Sequence, residues 1–478
     1  MIKQSLGMRT MKPLPFLLLV LLALPAAVQA QFTFTTNNGA ITITGFTGNP
    51  TTLNIPNTTN GLPVTSIGNL AFAGKFNVTS VTIGTNVTSI GANAFIGCSR
   101  LTGITIPESV TNFGYGPFAN CTKLTAINVD INNPAYTSVG GVLFNQGQTT
   151  LVQCPGAMTG SYIVPNSVII IGNYSFDNCT NLTNISIPSS VTSIGNDGVF
   201  GCRSLTSITI PSSVTSIGTN AFNQCAILTN VIIPYSVTNL GDGAFASCTS
   251  LKAISVDTNS PAYSSVGGVL FNQNQTLLIQ YPAGIAGNYI IPNSVTTVGN
   301  DSFFLCSSLT GITIPNTVSS IGEWAFADCS GLTDVTIPNS VTNIEYEAFF
   351  NCPDLAGIYF LGNAPTANTF VSQVFTADNA TVYYLPGTTG WSSTFCQLPT
   401  VLWNPQAQND ASFGMQTNQF GFNITGTGGL VIVVEASTNL SNPVWTPIAT
   451  NTLTSGSVYF SDPQWTNYPG RYYRLRSP

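Results

Sequence analysis

The chain has 478 residues, 43% of them apolar and only 6% charged, with 11 Lys plus Arg, 17 Asp plus Glu and no histidine. Soluble domains ordinarily carry roughly a quarter charged residues. Without His there is no Ser-His-Asp or Cys-His catalysis, no imidazole metal ligand and no imidazole pH switch. A net charge of −6 with so few basic residues also excludes a nucleic-acid footprint.

Residues 1–30 read as an export signal. Lys3, Arg9 and Lys12 precede an apolar run from Leu14 to Leu24, and Val28-Gln29-Ala30 offers small residues at a cleavage site. Pro15 and Pro25 interrupt the run, which is shorter than the ~20 residues of a membrane-spanning helix. Its removal takes the net charge from −6 to −9. No later segment resembles a transmembrane helix, so the expected location is secreted, extracellular or at the cell surface.

A unit of the form Val-Thr-Ser-Ile-Gly-x-x-Ala-Phe-x-x-Cys-x-x-Leu-Thr-x-Ile-Thr-Ile-Pro then recurs along most of the chain. Its last apolar residue falls at Ile83, Ile106, Val129, Val164, Ile187, Ile210, Ile233, Val256, Ile291, Ile314, Ile337 and Phe360, in steps of 23 residues except for two of 35. Ile55 marks one irregular unit before them. Leu101-x-x-Ile104-x-Ile106 alternates as a half-buried strand, and Pro107 ends it for want of an N–H. Val87-Thr88-Ser89-Ile90 is a second short strand, with Gly91 at the corner. Ala94-Phe95-Ile96-Gly97-Cys98 reads as one helical turn that buries Phe and Cys. Phe72, Phe95, Phe118, Phe176, Phe222, Phe245, Phe303, Phe326 and Phe349 share that slot, and Gly198-Val199-Phe200 shifts it by one residue. One unit buries too few side chains, at ~1.5–3 kcal/mol each, to offset the ordering of its backbone. Only a stack is stable, so the expectation is a parallel solenoid of about 12 rungs, roughly 50 Å of sheet.

Nine of the 11 cysteines recur once per unit and form one column: Cys98, Cys121, Cys179, Cys202, Cys225, Cys248, Cys306, Cys329 and Cys352. Parallel Cβ vectors in such a column do not suit a disulfide, so these nine are expected to be buried free thiols. Cys154 and Cys396 lie outside the column, and their state is open.

The two 35-residue steps contain near copies of Asn-Pro-Ala-Tyr-Thr-Ser-Val-Gly-Gly-Val-Leu-Phe-Asn, at 133–145 and, with Ser for the first Asn and for the Thr, at 260–272. Val142–Asn145 with 151–154 reads as a β-hairpin. Such units serve either as projections that grip a ligand or as alternative rungs that bend the solenoid; the second reading is favoured.

The repeated Ile-Gly-x-x-Ala-Phe segments resemble the BspA-type leucine-rich repeats of bacterial and protist surface proteins, over roughly residues 41–362. The resemblance implies a curved leucine-rich-repeat solenoid associated with adhesion, and it implies no catalytic residues. The expected fold is therefore mainly β: a leucine-rich-repeat solenoid of about 12 rungs with short helical turns, followed by a small C-terminal β-sandwich. The expected divisions are a signal peptide at 1–30, an N-terminal cap at 31–63, repeats at 64–362, a C-terminal cap and linker at 363–404, and the sandwich at 405–478. Within it, residues 420–424, 430–436, 444–448, 458–460 and 472–475 are the candidate strands. Pro405-Gln406-Ala407-Gln408-Asn409 is the linker candidate. Arg471, Arg474 and Arg476 crowd the C-terminus, either as a sorting or anchoring tag or as the solvent face of an ordinary last strand.

Catalysis finds little support. The densest carboxylates, Glu323, Asp328, Asp334, Glu345, Glu347 and Asp354, occupy corners and turns, and neither Asp130 nor Asp257 has the acidic spacing of a calcium loop. No cofactor and no metal is expected. The more specific candidate is the outward face of the strands, where the residue between two buried apolar positions points to solvent. Thr105, Asn128, Thr209, Ile232, Thr313, Thr336 and Tyr359 are the candidate binding residues. Ile232 and Tyr359 break a neutral column of small polar side chains, either as anchors for a ligand or on a face whose short polar β-formers simply keep the sheet soluble; the second reading is favoured. The expected function is a non-catalytic surface or secreted binding protein that recognises protein or glycan on another cell or matrix, with possible attachment through the C-terminal domain. The alternative is a structural surface-layer or matrix protein that acts by self-association.

Overall fold

The computed structural model describes residues 32–365, 373–416 and 418–476, so the expected export signal lies outside the described residues. Each 23-residue unit forms one coil with three sides. On the first, two-residue strands such as Ser89–Ile90 pair in parallel with Ser66–Ile67 before them and Asn112–Phe113 after them. On the second, longer strands such as Gly103–Ile106 and Ala126–Val129 pair in parallel, residue for residue, 23 positions apart. Gly91 is required at the corner by close approach: a Cβ there would lie 2.5 Å from the Asn69 backbone nitrogen.

The third side is not a helical turn but a run of linked β-turns. Ile96 N–H donates to the Asn93 carbonyl and Cys98 N–H to that of Phe95, both at 3.1 Å, with Asn93 at φ 54° and Gly97 at φ 71°. Alternate N–H groups, those of Asn93, Phe95 and Gly97, donate to the Tyr115, Pro117 and Ala119 carbonyls of the next coil, each at 2.9 Å. A helix would spend these donors within the coil, whereas the turns spend them between coils, where a stack needs them.

Side chains repeat the theme. Thr88, Thr102 and Thr125 hydroxyls donate to the carbonyls of Thr65, Thr79 and Thr102 one coil earlier, at 3.1, 3.2 and 2.8 Å. The Asn69 and Asn173 side-chain carbonyls accept from Ala92 and Asn196 N–H of the following coil at 2.8 Å. The inter-coil slots thus want short neutral hydrogen-bonding groups, which accounts for a chain with so little charge.

Inside, phenylalanines stack from coil to coil. Phe72 and Phe95 centroids lie 5.1 Å apart, Phe222 and Phe245 5.3 Å, and Phe303 and Phe326 4.7 Å. The expected one-residue shift at 198–200 does not occur. Val199, fully buried, takes the Phe slot with its N–H on the Ala221 carbonyl at 2.8 Å, so the ladder keeps register at the expense of ring volume. Beside the rings run the cysteines. All 11 are free, and Cys98, Cys121 and Cys202 Sγ donate to the Phe72, Phe95 and Phe176 carbonyls at 3.4, 3.2 and 3.3 Å. Cys154 proves to be buried in this interior too, its backbone oxygen 3.9 Å from Cys179 Sγ.

The two long units are internal partitions rather than projections. Val142–Asn145 lies between Tyr136–Val139 and Thr150–Gln153, antiparallel to both. Val142, Leu143 and Phe144 are all fully buried. Leu143 packs into the core built from 41–127, while Val142 and Phe144 pack into the next, which runs to Leu270. The copy repeats the device: Leu270 faces back, and Val269 and Phe271 face a third core. A strand with alternating side chains and apolar groups on both faces can only be buried on both faces.

The hairpin Phe32–Asn37 with Ala40–Phe46 covers the first coil. At the other end the longer-strand sheet continues through Thr381–Tyr384 and Leu398–Leu402, and the antiparallel strand Thr394–Phe395 pairs with the last of these. The C-terminal segment then forms two antiparallel sheets. One contains Gln406–Ala407, Gly414–Gln416, Gln419–Thr425 and Ser457–Asp462, and the other Thr446–Thr452, Val431–Ser437 and Tyr472–Arg476. Residues 405–409 are therefore not a free linker: Gln406–Ala407 is a strand, and Gln408 N–H donates to the Asn423 carbonyl at 2.7 Å.

Candidate functional site

The outward face of the longer strands holds every candidate residue in one positional class, but the partitions cut it into three stretches. At the first cut Ile127 N–H donates to the Gly141 carbonyl at 2.8 Å and Ser138 Oγ donates to the Ile127 carbonyl at 2.6 Å, so the hairpin occupies the strand edge. Gly141 suits this position because φ 81° strains any L side chain, and a Cβ would also crowd Ala126 Cα at 3.1 Å. Thr105 and Asn128 lie in the first stretch, directly paired and exposed. Thr209 and Ile232 lie in the second, and Thr313, Thr336 and Tyr359 in the third.

Ile232 is 65% exposed. Two residues of the same class escaped the sequence reading. Ile163 pairs with Ser186 and Ile290 with Thr313, which puts both in the outward column, 75% and 71% exposed. Each directly precedes the marker residue of a 35-residue step, and that position was the available signal.

Tyr359 differs from the expectation of an exposed anchor. It is only 5% exposed, its ring stacked on Tyr383 at 4.7 Å with the planes 11° apart. Trp403 meets it edge-on at 6.4 Å. The cause is the C-terminal sandwich, whose core of Phe422, Ile424, Leu430, Ile432, Val434, Leu453 and Phe460 also packs Tyr383, Val401 and Trp403. Thr427 Oγ1 donates to the Leu402 carbonyl at 2.7 Å across the same junction. The column therefore passes from exposed Thr313 through half-buried Thr336 to buried Tyr359 as it runs beneath the sandwich.

Where the two meet, a cleft of about 720 Å³ opens, and it brings together Thr313, Thr336 and Tyr359; Thr105, Asn128, Thr209 and Ile232 lie elsewhere. Asn288 and Asp334 line its solenoid wall, and Trp403, Arg474 and Arg476 its far side. Burial pushes the Asp334 carboxyl above the usual range. Both arginines are engaged by buried Glu435, Arg474 Nε at 2.7 Å and Arg476 Nε at 2.6 Å. Desolvation opposes the charge on Glu435, but these two donors outweigh it and hold its carboxyl below the ordinary value. Arg471 is paired with Asp462 at 2.6 Å. All three C-terminal arginines thus make intramolecular ion pairs in or beside the last strand.

Several of the other carboxylates are held in local hydrogen bonds. Asp130 and Asp257 accept from Asn132 and Asn259 N–H at 2.9 Å, closing turns. Glu347 is buried, and Asn343 Nδ2 donates to Glu345 at 2.6 Å. Among the described residues no helix is long and apolar enough to cross a membrane.

No curated protein matches the chain. Among solved structures, a leucine rich cell surface protein from Faecalibacterium prausnitzii is 26% identical over 76% of this chain and 96% of that one, with a TM-score of 0.41. A leucine-rich repeat protein from Bacteroides ovatus is 24% identical over 78% and 98%, with a TM-score of 0.34. The pneumococcal vaccine antigen PcpA is 17% identical over 74% and 85%, with a TM-score of 0.33. The model of the BspA type leucine rich repeat region matches residues 39–160, 156–277 and 286–388, and so the chain belongs to the BspA-type leucine-rich-repeat family.

Proposed function

We propose that this is an exported, surface-displayed binding protein whose solenoid recognises a protein or glycan through the outward face of its longer strands and which performs no catalysis. The carrying observation is that Ile163, Ile232 and Ile290, 65–75% exposed, stand at intervals in an outward column that is mainly Thr, Ser and Asn until it reaches buried Tyr359. Large apolar groups contribute most when a partner removes them from water, and the short polar groups between them give hydrogen bonds without steering by charge. The family supports the surface assignment, and the covering of the last coils supports a fixed orientation for the C-terminal sandwich, which we assign to attachment.

The test is binding of the chain from Gln31 onward to arrayed matrix proteins and glycans, with sedimentation run alongside. Saturable binding by a monomer supports the reading. Concentration-dependent self-association without binding to the array overturns it and favours a structural matrix protein.

A further inference from the structure

We propose that the cleft between the solenoid face around Asp334 and the last strand, Tyr472–Arg476, binds a neutral oligosaccharide. The inference rests on the surface-binding reading above and adds to it a place and a ligand class.

Size is the first argument. A volume of about 720 Å³ is within the range of specific small-ligand sites, and the cleft is open at the side, as a chain ligand requires. The second is the donor and acceptor set. Thr313 and Thr336 bring hydroxyls, Asn288 an amide and Asp334 a carboxylate, on successive strands at one sheet spacing. Asn288 Oδ1 already accepts from Thr310 Oγ1 at 2.9 Å, so its Nδ2 is the end left to give. The Trp403 indole lines the same cleft.

Charge then selects among polar ligands. Arg474 and Arg476 are both held by Glu435, and Asp334 faces them from the solenoid wall. An anionic ligand would meet the Asp334 carboxylate and a cationic one the two guanidinium groups. A neutral polyol meets neither penalty and finds hydrogen-bonding groups on both walls. Space around Asp334 is kept by glycine: a Cβ at Gly357 would lie 2.8 Å from Asp334 Oδ1 and 2.7 Å from Tyr359 Cε2, and one at Gly311 would lie 2.8 Å from Asn288 Oδ1. Half-buried Tyr383 and Trp403 give the cleft an aromatic lining, the kind of surface on which the C–H face of a sugar ring packs.

The experiment is titration calorimetry of the chain from Gln31 onward against neutral di- to tetrasaccharides of hexoses and N-acetylhexosamines, with sialylated and sulfated sugars as the contrasting set. The expected result is saturable binding of at least one neutral sugar, weakened at least tenfold by Asp334→Ala and by Asn288→Ala and unchanged by Ile131→Asp on an exposed turn, with melting temperatures preserved. Asn288 is exposed on the cleft wall, so Asn288→Ala tests the site even if Asp334→Ala lowers stability. No binding of any neutral sugar, preference for the anionic set, or binding indifferent to both substitutions overturns the proposal. If an arrayed protein binds while the sugars do not, the cleft proposal fails and the surface-binding reading stands. If nothing binds, both fail.

Discussion

Leu143 and Phe144 are consecutive residues of one strand, both fully buried, and they pack into different cores. This relationship makes the long unit a partition through which one block of coils is seated on the next. Substitution on either face should act on one block at a time. In native-state hydrogen exchange, Leu143→Ala is expected to lower protection across residues 41–127 and Phe144→Ala across 164–256. Truncations of this kind cost about 2–5 kcal/mol. Equal loss in both blocks from either variant would show that the solenoid opens as one unit and that the partition has no energetic meaning.

The cysteine column makes a chemical prediction. Burial pushes the Cys98 and Cys248 thiols up to about 12, so the folded protein holds almost no thiolate near neutral pH. A thiol reagent added at pH 8 should label the native protein slowly, with half-buried Cys396 first, and should find all 11 thiols once the chain is unfolded without reductant. Recovery of fewer than nine would mean that the column carries disulfides.

Buried Asp177 and half-buried Asp301 are among the carboxyls that set the expected pH dependence, as is half-buried Asp378, which burial raises to about 7. Burial raises Asp177 to about 7 from an ordinary 3.8, despite a 3.0 Å hydrogen bond from Asn178 and with Asp197 adding repulsion. Burial and the neighbouring Asp242 and Glu323 raise Asp301 to about 6. All three hold a proton in the folded chain where the unfolded chain has lost it. Their contribution is therefore fully present below about pH 4 and is lost as pH rises through 6 to 7. At about 1.4 kcal/mol per tenfold change in proton affinity, Asp177 alone costs on the order of 4 kcal/mol at pH 8. The melting temperature should fall between pH 5 and pH 8, and Asp177→Asn should raise it at pH 8 and flatten the slope. A melting temperature that rises over that interval would contradict this account.

The phenylalanine stack predicts unequal costs along its length. Phe326 lies between Phe303 and Phe349, at 4.7 and 5.0 Å. Phe326→Ala should cost roughly 3–5 kcal/mol. Val199 already interrupts the stack between Phe176 and Phe222, so Val199→Ala should cost less, about 1–3 kcal/mol. Chemical denaturation of the two variants checks the order, and equal losses would mean that the ring at 326 is no more tightly packed in its slot than the valine at 199.

Much of the fold is legible in the sequence because a stack imposes the same local demands at every coil. The Ile-Gly corner, the buried Phe and Cys and the short polar slots all report on the coil immediately before or after. What was not legible depends on contacts between distant segments. The helical reading of 94–98 failed because alternate N–H groups are taken by the next coil, a competition that a single unit does not display. Val142-Leu143-Phe144 reads as a plain apolar strand, and only its neighbours show that it has two interiors to fill. At the candidate site, Ile232 was found from its place between buried neighbours. Tyr359 belongs to the same pattern, but its burial follows from Trp403 and the docked sandwich, nearly 50 residues downstream in the chain. The cleft has the same origin, since its two walls come from residues about 140 apart.

The central claim, recognition through the outward strand face, is tested most directly by a binding isotherm of the labelled chain from Gln31 onward on intact bacterial and epithelial cells, compared with that of Ile232→Asp. The account predicts saturable binding that the substitution weakens at least tenfold while the melting temperature stays within about 2 °C. Linear, non-saturating uptake, or isotherms that superimpose for the two proteins, would contradict it.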